Sequence, residues 1–164
     1  MTRAHTIRNA RSDDAEAFVR AYERAWDAAL ATIAGKRLGA LAPLEERIRA
    51  FQAGVERMSP DARIWVAERG GTLVGLATCI RNGDACELRS VYVVPEAWGS
   101  GVARDLLETA LESMRARGAT EAVLWVVEEN GRARHFYERE GWTADGETRV
   151  SELGPRELRY GRAL

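Results

Sequence analysis

The segment spanning residues 87–111 constrains the fold of this chain more than any other. It begins with a β-branched and aromatic run, residues 91–94, which predicts a strand. Pro95 ends that strand because proline has no N–H to donate to a ladder. Gly99 and Gly101 follow, so the segment predicts a strand that leads into a tight glycine turn.

A helix with one apolar side follows the glycine turn. Its apolar residues recur at intervals of three and four: Val102, Leu106, Leu107, Ala110, Leu111 and Met114. A helix that begins directly after glycine leaves its first N–H groups without acceptors, and the helix dipole adds positive potential there. This arrangement predicts a binding site for phosphate oxygens. The same turn also occurs where nothing binds, because a tight turn alone needs glycine, and this segment alone leaves that alternative open.

Two well-known phosphate loops do not match the turn. A dinucleotide-binding fingerprint would need a third glycine where Arg104 stands. A P-loop would need a lysine at this turn, whereas Lys36 is the only lysine in the chain. The turn therefore predicts a phosphate ester that is bound mainly by backbone amides, without a metal-binding hydroxyl.

A second segment combines a buried strand with a short helix. Residues 123–127 predict the strand, Asn130 can cap the helix through its side-chain oxygen, and Gly141 marks the end of the helix. The helix carries three apolar residues along one side: Ala133, Phe136 and Tyr137. This again predicts a strand, a turn and an amphipathic helix.

Together the two segments resemble the GNAT superfamily of acetyl-CoA-dependent N-acetyltransferases. The family's phosphate loop, Gln/Arg-x-x-Gly-x-Gly/Ala, is matched at Gly101 and Ala103. Its second block, Leu-x-Val-x-x-x-Asn-x-x-Ala-x-x-Phe-Tyr followed by Gly-Phe/Trp, is matched at Leu124, Val126, Asn130, Ala133, Phe136, Tyr137, Gly141 and Trp142. Trp98 departs from the pattern, because the family usually has Gln or Arg there. A charged contact to a phosphate is therefore missing at this position, and Arg104 is the candidate to replace it.

The order of the predicted elements, β–αα–βββ–α–β–α–ββ, indicates an α+β fold with helices on both faces of a sheet. The predicted strands cover residues 4–9, 63–68, 72–80, 87–94 and 122–127, with two more in 142–164. The predicted helices start with Ser12 as a cap, at Pro43, at Val102 and at Gly131. The resemblance implies a GNAT-like acyl-CoA N-acyltransferase fold, whose central sheet is mixed and mostly antiparallel. No repeat or linker interrupts the pattern, so residues 1–164 are expected to form a single domain.

Cys79 and Cys86 flank the dipeptide Asn82-Gly83, which is a strong signal for a type I′ hairpin. A two-residue turn at that dipeptide would place the two cysteines opposite each other on neighbouring strands. In a reducing compartment, facing cysteines are more often two small buried apolar side chains than a disulfide. We therefore expect two free thiols.

Composition narrows the classes of partner. The formal charge of −1 on 164 residues is unlike the basic surplus of nucleic-acid-binding domains, so no nucleic acid is expected as a partner. No apolar run reaches the ~20 residues of a membrane-spanning helix, and the N-terminal sequence lacks the apolar core of a signal peptide. These observations predict a cytoplasmic protein that has no membrane partner.

The resemblance implies that acetyl-CoA is the co-substrate. Backbone groups at Val93 and Val94 would hold the pantetheine arm and polarise the thioester carbonyl, where the strand separates from its neighbour. The pyrophosphate would be held by amides of the glycine turn: Gly99, Ser100, Gly101, Val102 and Ala103. Asn130 and Ala133 would complete the cofactor-binding set, although Asn130 is equally explained as a plain helix cap.

Acetyl transfer needs a neutral amine and a proton for the leaving thiolate. Tyr137 matches the family tyrosine that acts as general acid near the sulfur of CoA, and the ordinary pKa of about 10 for a phenol suits that role. A half-buried packing role is the alternative for Tyr137. Glu87 is the candidate base through a water molecule, with a solvated strand end as an equal alternative. Glu128 and Glu129 are weaker candidates.

The two histidines match no motif. His135 is two residues from Tyr137 on the predicted helix, so the two side chains point to different faces. His135 is therefore expected at the surface. The chain lacks a Cys/His cluster, and no metal site is expected.

The resemblance implies an acceptor groove between the first two helices and the last hairpin. Tyr22, Trp26 and residues 34–41 would line it, with Trp65 and Trp142 nearby, although aromatic residues at helical spacing are equally explained as core. The expected function is transfer of an acetyl group from acetyl-CoA to a primary amine of a small molecule or a protein N-terminus. The alternatives are a non-catalytic acyl-CoA-binding or sensor domain on the same fold and a partner-binding structural domain. A homodimer is compatible with the sequence.

Overall fold

Seven strands and four α-helices make up the regular structure of residues 5–164, the part of the chain that the computed structural model describes. The strands are β1 (Thr6–Asn9), β2 (Ala62–Arg69), β3 (Thr72–Asn82), β4 (Ala85–Val93), β5 (Glu121–Val127), β6 (Thr143–Val150) and β7 (Arg156–Ala163). The helices are α1 (Ala15–Ala34), α2 (Leu44–Glu56), α3 (Val102–Ala116) and α4 (Gly131–Arg139). The strands form one sheet in the order β1-β2-β3-β4-β5-β7-β6. Neighbouring strands are antiparallel except β4 and β5, which are parallel.

This architecture confirms the predicted α+β fold with a mixed, mostly antiparallel sheet. Helices α1 and α3 both contact β3 and β4, so they must cover opposite faces of the sheet. On the α3 face, Gly75 permits close packing, because a Cβ there would lie 3.0 Å from the side chains of Val102 and Leu106. Both of these side chains are fully buried. The apolar side predicted for the third helix is therefore the core of that layer.

The helices are amphipathic rather than uniformly apolar. In α1, several buried residues lie along one side: Ala15, Phe18, Val19, Ala21, Ala25, Trp26 and Leu30. Helix α2 has no fully buried residue and reaches the core through half-buried side chains such as Phe51, whose ring stacks on Phe18 with centroids 4.1 Å apart. No helix within residues 5–164 combines the length and the apolar character needed to span a membrane.

The first helix begins later than the sequence predicts. A 3₁₀ turn precedes α1, and Ser12 lies in that turn instead of capping the helix. Asp14 accounts for the difference: its carboxylate accepts a hydrogen bond from the Arg11 N–H at 2.8 Å and two from Arg8 at 2.7 and 2.8 Å. These bonds fix the chain as a turn before the helix can start. Ala4, the first residue of the predicted first strand, lies outside the described residues.

The parallel pair β4 and β5 separates partway along the sheet. The two strands are paired only over residues 85–88 and 121–124. Beyond this point β4 continues beside β3 as far as Val93, and β5 continues beside β7 as far as Val127. A gap therefore opens within the sheet, as the resemblance to the GNAT superfamily implied.

The hairpin between β3 and β4 differs from the predicted one. Asn82 pairs with Ala85, so the turn residues are Gly83 and Asp84 instead of Asn82 and Gly83. Of these two, only Gly83 has a positive φ (67°), whereas a type I′ turn needs a positive φ at both positions. The predicted type I′ turn at Asn82-Gly83 is therefore wrong.

The shifted turn alone changes the register of the two cysteines, because the pairing runs unbroken from Asn82–Ala85 to Cys79–Leu88 and the bulge between Thr78 and Cys79 lies beyond both. Cys79 lies opposite Leu88, and Cys86 lies opposite Arg81. The prediction that the cysteines face each other is therefore wrong. Both thiols are free and buried, and burial raises the pKa of Cys79 to about 11.

Candidate active site

A cavity of about 950 Å³ opens where β4 and β5 separate. The glycine turn and the starts of α3 and α4 border one end, and α1 and the loop between β6 and β7 border the other. Most of the site residues predicted from the sequence line it: Glu87, Val93, Gly99, Gly101, Ala103, Asn130, Ala133 and Tyr137. Val94, Ser100 and Val102 stand beside these residues in the chain without lining the cavity.

The glycine turn presents free N–H groups to this cavity. Gly99 and Gly101 have φ values of 73° and 87°, a region that favours glycine. The first helical hydrogen bond of α3 joins the Asp105 N–H to the Gly101 carbonyl at 3.0 Å, so the helical N–H groups before it have no helical acceptor. A Cβ at either glycine would meet no atom within 4 Å. The turn therefore combines open space with the donor geometry that binds a phosphate.

Ser100 fixes the shape of the turn with its side chain. Its hydroxyl donates to the Ala97 carbonyl at 2.6 Å and accepts a hydrogen bond from Nη2 of Arg69 at 2.9 Å. The Ser100 N–H also donates to the Ala97 carbonyl, at 3.4 Å. Arg69 thus brings a positive charge from the end of β2 to the turn. Sequence reasoning missed Arg69, because only the pairing of distant strands places it there.

Trp98 connects the glycine turn to both β4 and α4. Its indole N–H donates to the Val93 carbonyl at 2.8 Å. The guanidinium carbon of Arg132 lies 3.4 Å from the centre of the Trp98 ring, in a cation–π arrangement. Burial lowers the pKa of Arg132, and no carboxylate within residues 5–164 forms an ion pair with it. A cation that is partly desolvated without a counter-ion gains strongly from an anionic ligand.

Arg104, the residue expected to replace the missing charge at position 98, is already paired. Its Nε lies 3.3 Å from Glu108 and 3.5 Å from Glu140. Arg69 and Arg132 supply the positive charge at this end of the cavity instead. Neither forms an ion pair with a carboxylate of the described residues. Apart from the unusual tryptophan, no sequence pattern points to either arginine.

The last residues of β4 present backbone groups to the gap. The Val94 N–H donates to the Val74 carbonyl on β3 at 3.0 Å, so it is turned away from the gap. Because the peptide groups of successive strand residues point to opposite sides, those of Val91 and Val93 face the gap. The Val93 carbonyl already accepts from Trp98, which leaves the Val93 N–H and the peptide groups of Val91 for a ligand.

Tyr137 lies on α4 beside the gap, with its ring packed edge-on against Phe136 and Trp142. Asn130 holds the start of that helix, since its side-chain oxygen accepts a hydrogen bond from the Ala133 N–H at 3.2 Å. The Tyr137 hydroxyl has no hydrogen-bond partner within the described residues. Burial raises the pKa of Tyr137 above its ordinary value, so the hydroxyl keeps its proton at neutral pH.

Two carboxylates line the cavity away from the glycine turn, and both are largely buried. The Glu87 side chain is 21% exposed, and its Oε2 lies 4.0 Å from Nε of Arg89. The Glu157 side chain is 15% exposed, and its Oε2 lies 2.6 Å from Nε of Arg149. Sequence reasoning missed Glu157, because no motif marks it and the return of β7 to β5 places it there.

The two weaker candidates for the base lie elsewhere. Glu128 pairs with Arg156 at 3.5 Å and does not line the cavity. Glu129 lines the cavity only at its exposed rim. Of the three glutamates considered from the sequence, Glu87 is therefore the one that the fold holds inside the site.

His5, for which the sequence made no prediction of burial, is buried. Its Nε2 lies 2.9 Å from a carboxylate oxygen of Asp105 on α3, a partner one hundred residues away that no local pattern reveals. His135 is exposed as predicted, and its Nδ1 lies 2.7 Å from the Gly131 carbonyl. Within residues 5–164, no group of three or more His, Cys, Asp or Glu side chains is placed to hold a metal ion.

The end of the cavity that faces α1 is bordered by an apolar cluster: Trp26, Leu30, Leu38 and Val127. The ring of Tyr22 lies 5.1 Å from that of Tyr92, which connects α1 to β4. Trp26 lines the cavity as expected, whereas Trp65 and Trp142 are buried and do not line it. This end of the cavity therefore combines an apolar wall with the carboxylates of Glu87 and Glu157, in contrast to the glycine turn.

Known proteins share both the sequence blocks and the fold. The sequence profile described as Acetyltransferase (GNAT) family matches residues 28–142. A probable N-acetyltransferase of Mycobacterium tuberculosis is 32% identical over 88 residues, which cover 52% of this chain and 49% of that protein. An uncharacterised N-acetyltransferase of Archaeoglobus fulgidus is 37% identical over 81 residues, which cover 45% of this chain and 55% of that protein. The chain thus spans about half the length of these curated relatives.

Two solved structures superpose on nearly the whole chain. The ribosomal-protein-alanine N-acetyltransferase of Brucella melitensis is 26% identical with a TM-score of 0.76, and the match covers 97% of this chain and 99% of that one. The PaiA N-acetyltransferase of Thermoplasma acidophilum, solved in complex with coenzyme A, is 20% identical with a TM-score of 0.75, and the match covers 94% and 97%. The second likeness shows the fold alone. Because the family profile covers more than half of the sequence, the chain belongs to the GNAT acetyltransferase family.

Proposed function

We propose that the chain transfers an acetyl group from acetyl-CoA to a primary amine of a small molecule or a protein N-terminus. One observation carries the proposal: the gap between β4 and β5 has the glycine turn at one end and the Tyr137 hydroxyl beside it. Acetyl-CoA supplies the activated acetyl group as a thioester. The single sheet formed by all seven described strands supports the further proposal that residues 1–164 act as one domain.

Binding of the pyrophosphate is assigned to the glycine turn. The N–H groups at Gly101, Val102 and Ala103 lack helical acceptors, and the dipole of α3 adds positive potential. Arg132 and Arg69 supply the positive charge that Trp98 lacks. In this proposal, Gly99 and Ser100 shape the turn, with the Ser100 hydroxyl fixed on the Ala97 carbonyl.

Binding of the pantetheine arm is assigned to the open edge of β4. The Val93 N–H and the peptide groups of Val91 face the gap and are the groups that can pair with amides of the arm or polarise the thioester carbonyl. Val94 contributes by ending the strand, because its N–H is bonded to Val74. Asn130 and Ala133 hold the start of α4 against the same gap.

Tyr137 is the proposed general acid that protonates the departing thiolate. Tyr137 lines the cavity, and its hydroxyl has no hydrogen-bond partner among the described residues. Burial raises the pKa of Tyr137, which keeps the proton on the phenol until the reaction needs it. A buried site also disfavours the charged thiolate, which raises the pKa of the CoA thiol. The pKa values of the tyrosine and of the leaving thiol therefore shift in the same direction, so the difference between them stays small enough for proton transfer.

Glu87 is the proposed base, acting through water. It lines the cavity from the part of β4 that is still paired with β5, and its side chain is largely shielded from solvent. An amine enters mainly as an ammonium ion at neutral pH and must lose a proton before it can attack the thioester. A shielded carboxylate on the acceptor side is the group that can take that proton.

The experiment that tests the proposal has two stages. Calorimetry with acetyl-CoA should show binding, and a thermal shift at about 100 times the Kd should correspond to ~2.7 kcal/mol of stabilisation. An assay for released CoA across aliphatic amines, aromatic amines and peptides with free N-termini should then identify an acceptor. Absence of acetyl-CoA binding would overturn the proposal. Binding without acetylation of any amine would instead identify a non-catalytic acyl-CoA-binding domain.

A further inference from the structure

We infer that Glu157 and Tyr92 form the subsite that binds the acceptor, and that this subsite selects a primary ammonium carried on an apolar body. The inference rests on the proposed function, because it identifies the class of amine that the proposed transferase accepts. It assigns Glu157 a role in binding and leaves proton removal to Glu87.

Tyr92 faces the α1 side of the gap. It lies opposite Leu76 on β3, one residue along from Gly75, which faces α3. Because successive strand residues alternate between faces, Leu76 and Tyr92 point towards α1. The ring of Tyr22 on α1 lies 5.1 Å from that of Tyr92, which agrees with this orientation.

Glu157 faces the same side from the other edge of the gap. It lies directly opposite Val127 on β5, and opposite residues of antiparallel strands share a face. Val127 packs with Trp26 of α1, so that face is the α1 face. Tyr92 and Glu157 both line the cavity, so their side chains meet the same space on the α1 face. Burial raises the pKa of Tyr92, with smaller contributions from Tyr22, Tyr137 and Glu157.

The polar atoms of this pair have capacity for a ligand. Arg149 occupies Oε2 of Glu157 at 2.6 Å and is itself held over the ring of Trp125, 4.3 Å from its centre. Oε1 of Glu157 and the hydroxyl of Tyr92 have no hydrogen-bond partner within the described residues. A primary ammonium offers N–H donors for both atoms, and Oε1 can accept one of them while Oε2 stays bonded to Arg149.

The surroundings of the pair select the body of the acceptor. Three apolar side chains border the cavity next to Glu157: Trp26, Ile33 and Leu153. Burying apolar surface against them stabilises the complex by roughly 25 cal/mol per Å², whereas a polar body would lose its hydration without compensation. The site therefore fits an amine whose charged end meets Glu157 and whose remainder is aliphatic or aromatic.

Calorimetry on protein saturated with CoA tests the inference, because CoA carries no acetyl group and nothing is transferred. The probes are 2-phenylethylammonium and 2-phenylethanol at pH 7, which have the same body and differ in charge. The wild-type protein should bind the ammonium about 10-fold more tightly than the alcohol, as expected for one shielded ionic contact. Glu157→Gln should bring this ratio close to one, and Tyr92→Phe should lower it partway.

Glu152→Gln is the matched control. Glu152 lies in the loop that leads into β7, five residues before Glu157, but it is exposed and outside the cavity, so the ratio should not change. A wild-type ratio near one overturns the inference, and so does a Glu157→Gln ratio that equals that of wild type. Loss of CoA affinity in Glu157→Gln also overturns it, because Glu157 would then support the fold. Failure of the proposed function has a different signature, since CoA itself would not bind, and the ratio would then be measured without CoA.

Discussion

The two ends of the cavity are built in different ways. The glycine-turn end comes from two continuous segments, residues 87–111 and 123–142, and relies mainly on backbone N–H groups and helix termini. The α1 end is assembled from side chains on separate elements, including Trp26 on α1, Tyr92 on β4 and Glu157 on β7. Side chains at the α1 end can therefore be exchanged without altering the backbone that defines the glycine turn. In the proposed function, this difference separates the binding of acetyl-CoA from the choice of the acceptor.

Gly101→Asp should cause the largest effect, because it places a side chain and a negative charge where the turn is expected to hold the pyrophosphate. We expect acetyl-CoA affinity measured by calorimetry to fall about 10³-fold, through lost charge-assisted hydrogen bonds and added repulsion. Gly146→Asp is the control, since Gly146 also has a positive φ (91°) with open space around it but lies on exposed β6. An equal loss of affinity in both variants would assign the effect to backbone strain.

Tyr137→Phe tests whether the glycine-turn half also contributes a side chain to the chemistry. We expect kcat to fall about 10²-fold while acetyl-CoA affinity stays constant. Tyr160→Phe is the control, because the Tyr160 hydroxyl bonds to Glu138 and Arg134 outside the cavity. That variant should lose about 1 kcal/mol of stability and keep its kcat. Wild-type turnover in Tyr137→Phe would return Tyr137 to a packing role.

The pH dependence of kcat should reflect the environment of Tyr137. A raised pKa means that the protonated, donating form of Tyr137 persists to higher pH than in an exposed tyrosine. We therefore expect no alkaline fall in kcat from loss of this proton up to about pH 10. A fall centred near pH 9 that disappears in Tyr137→Phe would contradict the burial of the hydroxyl.

Glu87→Gln tests the proton acceptor on the α1 side. We expect kcat/KM for the amine to fall about 30-fold near neutral pH, because the amide keeps the shape of the side chain but cannot accept a proton. We also expect kcat/KM to rise less steeply with increasing pH than it does in the wild-type protein. The same amine must be used for both proteins, since the pKa of the amine also shapes this rise. A profile that superimposes on wild type would show that the amine loses its proton directly to water or to Glu129.

Arg132→Met should cause the smallest of these effects, about a 10-fold loss of acetyl-CoA affinity, because one charged contact is removed while the backbone donors remain. Arg104→Met is the matched control, since Arg104 is already paired with Glu108 and Glu140. Its effect should be clearly smaller. Equal losses of acetyl-CoA affinity in the two variants would show that the arginine stacked on Trp98 makes no specific contact with the phosphates.

The glycine-turn end could be predicted from the sequence because its signals are local. The start of α3 after Gly101 and the cap that Asn130 provides for Ala133 each depend on residues a few positions apart. The contact of Arg69 with Ser100 could not be predicted, because it depends on how β2 and the turn meet in space. The place of Glu157 in the cavity could not be predicted either, because it depends on the order of the strands in the sheet.

The errors in the fold prediction have the same physical origin. A turn at Gly83-Asp84 instead of Asn82-Gly83 shifts the register of the β3–β4 hairpin, and the local sequence does not mark that choice. The burial of His5 against Asp105 of α3, for which the sequence made no prediction, likewise exists only once β1 has joined the sheet. Local patterns therefore predicted the elements, whereas register and long-range pairs had to come from the structure.

The stacking of Arg132 on Trp98 has an optical consequence. Of the five tryptophans, three are buried: Trp26, Trp65 and Trp142. Trp98 is 40% exposed at the mouth of the gap, so it should contribute most of the fluorescence that a neutral collisional quencher such as acrylamide can reach. A ligand that draws the guanidinium from the ring, or covers the indole, should change both the emission and its accessibility. A tryptophan in place of the usual Gln or Arg thus provides an intrinsic fluorophore that can follow the proposed binding and release of acetyl-CoA in real time.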